Sequence, residues 1–212
     1  ETAAAVDAVE RLAMAHPEIA FTVADGTRIL LRLDAPAPAL IAEGGAEVAW
    51  LSRLAAVLGR DFAENAMAIA TEREGVRLTG HAGLPTLNRA TAQAQYLFIN
   101  GRPVRDRLLL GAIRGAYADV MPRDRHPMLA LRIDLAPDTV DVNVHPTKAE
   151  VRFRDPTLVR GLIVGSLKRA IAAEGHRATS TGGAAALDAL AAPASGGRGW
   201  TPLRTSYAGL PS

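Results

Sequence analysis

The sequence predicts an α+β fold. Three observations carry this. Apolar segments of helical period are interleaved with short strands of two-residue period, the strands come in pairs around Asp25-Gly26, Glu74-Gly75 and Asn100-Gly101, and most of both patterns falls within about residues 40–174, enough for one core. Helices between strands also leave room for βαβ crossovers, so part of the sheet is open to parallel pairing.

Thr2 can cap a first helix over residues 3–15, where Val6, Val9, Leu12 and Met14 form an apolar stripe before His16-Pro17 ends it. IAFTVA and TRILLRL flank Asp25-Gly26, a dipeptide that accepts the positive φ of a tight hairpin turn. DAPAPALIAEGG reads as a connector too rich in proline for a helix, which sets a boundary between residues 1–34 and a unit starting near residue 40. Val48 to Leu58 forms a second amphipathic helix, stopped by Gly59, and MAIATE and VRLTGHA pair around Glu74-Gly75. LPTLNRATA is a polar loop.

QYLFIN then leads into the Asn100-Gly101 turn, and Asp106 is placed to cap the helix RLLLGAIRGAYADV, with Leu109, Ile113, Ala116 and Val120 on its buried side. PMLALRIDL and TVDVNV alternate around Ala136-Pro137-Asp138, and AEVRF follows HPTK as a further strand. Asp155-Pro156 opens a last helix through LVRGLIVGSLKRAIAAE, ending by Glu174. Residues 175–212, rich in Ala, Gly, Ser, Thr and Pro, read as a flexible linker or tail.

Composition narrows the function. With 49% hydrophobic and 22% charged residues in 212, collagen-like, disordered and coiled-coil classes fall away, and no apolar run approaches the roughly 18 residues of a membrane span. Zero cysteines exclude disulfides, a thiol nucleophile and cysteine-bearing zinc sites. The histidines, at 16, 81, 126, 145 and 176, lack the spacing of a helical metal pair, so no metal is assigned. The opening Glu, with no Met before it, points to a fragment of a longer protein. The net charge of +2 hides an asymmetry: residues 1–75 carry six Arg against twelve acids, and the remainder eighteen bases against ten. A basic half is compatible with a nucleic-acid surface and equally with ordinary solvation. Of the 24 bases only Lys148 and Lys168 are lysine, so those two positions invite inspection.

Phosphate-loop, nucleophile-elbow, zinc-helix and dinucleotide signatures are absent, so catalysis within this fragment is not expected. The carboxylate pairs Glu72/Glu74 and Asp138/Asp141 lie at strand ends, where acids mostly serve solubility. Two segments stand apart. In DVNVHPTKAEVRF, alternating strands on both sides hold Lys148 at a fixed place, where an ammonium suits a phosphate or is simply a solvated charge. In NGRPVRDR, Arg102, Arg105 and Arg107 crowd a turn and a helix start, partly offset by Asp106. That density suits positioning on a phosphate backbone, or an exposed turn with no ligand.

At these two segments the sequence resembles the MutL family of DNA mismatch repair proteins. QYLFINGRPVRDRLLLGAIRGAYADV is similar to the family's strand, NGR turn and helix, and DVNVHPTKAEVRF to its VDVNVHPxKxEVRF signature, within a resemblance covering roughly residues 2–173. The resemblance implies a part of an ATPase of the type shared with gyrase B, Hsp90 and histidine kinases (GHKL). Residues 1–34 would be the end of its ATP-binding part, and 40–174 a transducer domain like ribosomal protein S5 domain 2. Residues 175–212 would begin a linker to a C-terminal dimerisation domain.

By the same resemblance, Lys148 would reach the γ-phosphate of ATP, bound with Mg in the intact protein, while the fragment alone would hold no cofactor. Arg107, and less closely Arg102 and Arg105, would line a groove for DNA. Implied partners are DNA through its phosphate backbone, a mismatch-recognition protein, a downstream endonuclease or helicase, and a second copy of the intact protein, in the bacterial cytoplasm and at the nucleoid during repair, with no membrane. Two other identities compete: the transducer domain of a type II topoisomerase, whose lysine lies in a QTK-like loop, and an S5-like RNA-binding module. HPTK followed by EVRF favours the mismatch repair family.

Overall fold

A computed structural model describes residues 2–141 and 151–191, with the side chains of 39–44 and 176–191 left out. The elements in chain order are α1 (Thr2–Ala15), β1 (Phe21–Asp25), β2 (Arg28–Leu33), α2 (Pro38–Leu58), α3 (Arg60–Glu64), β3 (Ala66–Arg73), β4 (Val76–Gly83), β5 (Asn88–Arg89), β6 (Gln95–Ile99) and β7 (Arg102–Val104). They continue with α4 (Arg107–Tyr117), β8 (His126–Pro127), β9 (Leu129–Asp134), β10 (Val140–Asp141), β11 (Arg152–Phe153) and α5 (Pro156–Ala191). The chain divides into two units, Glu1–Glu174 and Gly175–Ser212.

In the first unit, a five-stranded mixed sheet has the order β3-β4-β9-β6-β7. Its pairings are antiparallel except β6 with β9, which run parallel from Gln95↔Leu129 to Ile99↔Ile133. Parallel neighbours need a crossover, and β7 with α4 supplies it. The β1-β2 hairpin forms a separate two-stranded sheet, as do β5-β8 and β10-β11.

Strand alternation sends side chains to two different layers. Met67, Ile69, Leu78, Leu97, Ile99, Leu129, Leu131 and Ile133 join Leu109 and Ile113 of α4 and Ile163 and Leu167 of α5 in one aliphatic core. Their neighbours in sequence, Tyr96, Phe98, Met128 and Ala130, join Met14, Trp50, Leu54 and Phe62 in a second cluster, where α1, α2 and α3 meet the sheet. In the middle of β4, Gly80 (φ 139°) presses on β9: a Cβ there would strike the Ala130 carbonyl oxygen. The close approach is reserved for glycine.

Most helices and hairpins stand where the sequence places them, but Arg60–Glu64 is an unexpected helix, and β9 pairs with β4 and β6 while β10 pairs with β11. Four further differences concern the helices. On α1 Met14 is buried and Val6 and Val9 are half-buried as the stripe requires, but Leu12 is 46% exposed and Ala13 is buried instead. The helix expected from Val48 is preceded by helical turns from Pro38, with a break at Gly45 (φ 66°). A proline within the first helical turn forfeits no hydrogen bond, so proline richness did not forbid that start. On α4, Val120 lies past the helix end at 46% exposure, while Leu109, Ile113 and Ala116 are buried. Finally, the last helix continues beyond Glu174 to Ala191, although the added residues include Gly175, Gly182 and Gly183, poor helix formers, before the Ala- and Leu-rich 184–191. Among the described residues no helix is long and apolar enough to cross a membrane.

Candidate functional site

The arginine segment is built on a turn and a helix cap. Asn100 (φ 47°) and Gly101 (φ 78°) both have positive φ, which the tight β6-β7 turn requires. Asn100 also does what the turn alone does not need: its Nδ2 donates to the Leu135 carbonyl at 3.0 Å and its Oδ1 accepts from the Leu135 N–H at 3.0 Å. Its backbone N–H donates to the Ile133 carbonyl at 3.0 Å. Side chain and backbone together fasten the turn to the end of β9. Six residues after Asn100, the buried Asp106 accepts from the N–H groups of Leu108 (2.8 Å) and Leu109 (3.1 Å), as an N-cap should. Asp106, which the sequence sets against the arginine charges, is thus turned inward to the helix.

Arg102, Arg105 and Arg107 are all exposed, on β7, at the junction and at the first position of α4. They share one short segment but not one environment. Arg105 lines a cavity of about 1120 Å³ with Asp7 and Glu10 of α1, Arg89 and Tyr96, whereas neither Arg102 nor Arg107 lines it. Burial, then the Asp7 charge, holds the Glu10 carboxyl above its ordinary value. Burial beside Glu10 pushes the Tyr96 hydroxyl up to about 12. The Arg11 guanidinium, itself paired with Asp7 at 3.0 Å, stacks 4.9 Å from the Tyr96 ring centre. Acids on this wall moderate the charge of Arg105.

Lys148 lies outside the described residues, as do Val142, Val144 and His145-Pro146. The strands on each side of them pair with each other. Val140 pairs with Phe153 and Asp141 with Arg152, and the Arg154 N–H donates to the Thr139 carbonyl at 2.8 Å. Val151 and Phe153 are buried in the aliphatic core. The described chain therefore stops at Asp141 and resumes at Val151 beside neighbouring, hydrogen-bonded strands. Leu135, which Asn100 grips, starts the short connection into the first of them. Asn100 thus fastens the arginine turn to Leu135, six residues before the second singled-out segment begins at Asp141.

The sequence drew no attention to the second face of the sheet. Buried Trp50 donates from Nε1 to the Met14 carbonyl at 3.0 Å, and buried Arg53 donates to the carbonyls of Pro17 (2.8 Å) and Ile19 (2.6 Å). Arg132 sits 3.7 Å over the Trp50 ring. Nor was the PRDRH segment noticed, where Arg123, Arg125 and His126 edge a cavity of about 620 Å³ beside α4. Three bases in four residues were its only signal. Among the described residues no cluster of three His, Cys, Asp or Glu could hold a metal ion.

Comparison with known proteins matches this architecture to a family. A family model described as DNA mismatch repair protein, C-terminal domain, matches residues 54–172. The DNA mismatch repair protein MutL of Rhodospirillum rubrum is 63% identical over 186 residues, 88% of this chain and 29% of that protein. Its counterpart from Caulobacter vibrioides is 55% identical over 204 residues, 95% of this chain and 31% of that protein. The chain thus spans about three-tenths of the length of the curated relatives it matches. A solved N-terminal domain of a DNA repair protein shares the fold with a TM-score of 0.59 at 16% identity, covering 80% of this chain and 53% of that one.

Proposed function

The chain belongs to the MutL family of DNA mismatch repair proteins, and from that premise we propose that it is the part of such a protein that converts ATP state into domain orientation and DNA contact. In this reading residues 1–34 end a GHKL-type ATP-binding part, 40–174 form the transducer domain and 175–212 begin the linker. The observation that supports it is the arginine turn itself, which the Asn100 side chain fastens to Leu135 just past β9, on the chain that leads to β10.

Bound ATP, with its Mg, would supply a γ-phosphate anion held by the preceding part of the intact protein. What this chain contributes is an ammonium mounted on a separate domain. Its attraction to that anion favours the closed arrangement and weakens when the phosphate leaves. Closure would favour dimerisation of the N-terminal halves and engagement of a mismatch-recognition protein and a downstream endonuclease or helicase, in the bacterial cytoplasm. Arg107, with Arg102 and Arg105, would hold DNA by its phosphates without reading its sequence.

The test is made on the intact protein. Lys148→Ala should lower ATP turnover about tenfold or more with nucleotide binding largely retained; unchanged turnover would remove the lysine's role. Arg107→Glu should weaken DNA binding at low salt and flatten the salt dependence. An unaltered slope would place the groove elsewhere.

A further inference from the structure

A cavity lies beside α4. It occupies about 620 Å³ between α4 and the segment leading to β8, with Leu110, Met121 and Pro122 among its apolar lining and Arg114, Arg123 and Arg125 on its edge. The segment is ordered by its own hydrogen bonds: Val120 N–H to the Tyr117 carbonyl and Arg125 N–H to the Pro122 carbonyl, each at 3.1 Å. Arg114 clamps it to α4 by donating from Nη2 to the Arg123 carbonyl at 2.9 Å. Arg123 and Arg125 are therefore mounted on a pinned turn with both side chains exposed. Asp119, the acid in the lining, is taken up by Lys168 at 2.8 Å, which leaves the edge basic. Asp124, between the two arginines, is exposed and does not line the cavity.

We propose that this cleft binds an acidic linear peptide of a partner protein, seating an apolar side chain on Leu110, Met121 and Pro122 while flanking carboxylates pair with Arg123 and Arg125. Charge complementarity selects the partner's sign, and the apolar lining selects its class. A duplex backbone is too broad for a concavity of this volume and makes no use of an apolar lining. A single-stranded base needs an exposed aromatic face, but the Tyr117 ring is 2% exposed, its hydroxyl donating to the Gly83 carbonyl at 2.7 Å, and His126 is half-buried on β8. The preformed turn removes ordering entropy that a flexible arginine loop would lose on binding. The inference goes beyond the nucleotide reading: Arg102, Arg105 and Arg107 do not line the cleft, and its test leaves Lys148 untouched.

Fluorescence anisotropy on the chain of residues 1–212 decides it. The probes are labelled peptides of about 12 residues, rich in Asp and Glu and differing in the spacing of one Leu and one Phe, with lysine-for-acid controls and oligonucleotides of matching charge. At least one acidic peptide should bind saturably and more weakly at high salt, and lose about tenfold in affinity with the R123E/R125E pair. Gly111→Trp provides a second variant. A Cβ at Gly111 meets nothing, so the indole should enter the cleft without disturbing α4 and block the peptide with every arginine still present. Loss in both variants, with unchanged thermal melting, supports the site. The proposal is overturned if no acidic peptide saturates, if binding survives either variant, or if only oligonucleotide binding responds.

Discussion

The two faces of the central sheet are built from different materials. Toward α4 and α5 the contacts are aliphatic, with Leu78, Leu129 and Leu131 at 0% exposure. Toward α1, α2 and α3 the cluster is largely aromatic and threaded by buried polar groups: Arg53, His81 and the Trp50 indole. Burial of hydrocarbon has no direction, whereas Trp50 and Arg53 must find particular carbonyls, and those they find belong to residues 14–19. The first face holds the sheet together. The second fixes where the N-terminal helix and hairpin stand on it.

Leu131→Ala would test the aliphatic face most strongly, at a cost of about 2–5 kcal/mol and a loss of protection everywhere at once, read by denaturant unfolding with hydrogen exchange. On the other face, Arg53→Met should cost about 1–3 kcal/mol, because the Pro17 and Ile19 carbonyls lose their donors. Its exchange should quicken chiefly in residues 2–33, with the sheet still protected. A uniform loss of protection would show that both faces serve one cooperative structure and would dissolve the distinction.

The smallest effect is electrostatic. Buried His81 has no hydrogen bond at Nδ1, with Glu47 Oε1 3.6 Å away and the Trp50 ring tilted at 58° beside it. Burial lowers its pKa below 6.5, the Glu47 charge opposes this, and Arg132 adds to it. A lowered folded-state pKa means the unfolded chain binds the proton first as pH falls. Stability is therefore full above pH about 6.5 and declines below it, at no more than about 1.4 kcal/mol per pH unit. In His81→Phe that part of the pH dependence should vanish; if the slope between pH 5 and 7 is unchanged, other groups carry it.

Local rules made much of this fold legible. Asp106 as cap, Asn100-Gly101 as turn and the alternation of β6 each depend on a few neighbouring residues, and each stands as the sequence implies. What stayed hidden depends on partners far along the chain. Nothing near Arg53 or Trp50 announces carbonyls 34–36 residues away, and nothing near Asn100 announces Leu135. Periodicity reports that a face is buried and is silent on what covers it. For the same reason Leu12 and Val120 were assigned to buried faces they do not occupy. The arginine segment was legible as a segment, but the separate surroundings of Arg105 come from α1, which folds in from the other end of the chain. Lys148 falls outside the described residues, so its role rests on the family signature and on the paired strands that bracket it.

That role is tested most directly by labelling the intact protein with a lysine-reactive ATP analogue whose reactive group replaces the γ-phosphate, then mapping the modified residue by mass spectrometry. The account predicts a label on Lys148 that unmodified ATP suppresses. Labelling confined to the preceding ATP-binding part, with Lys148 untouched at saturating analogue, would contradict it.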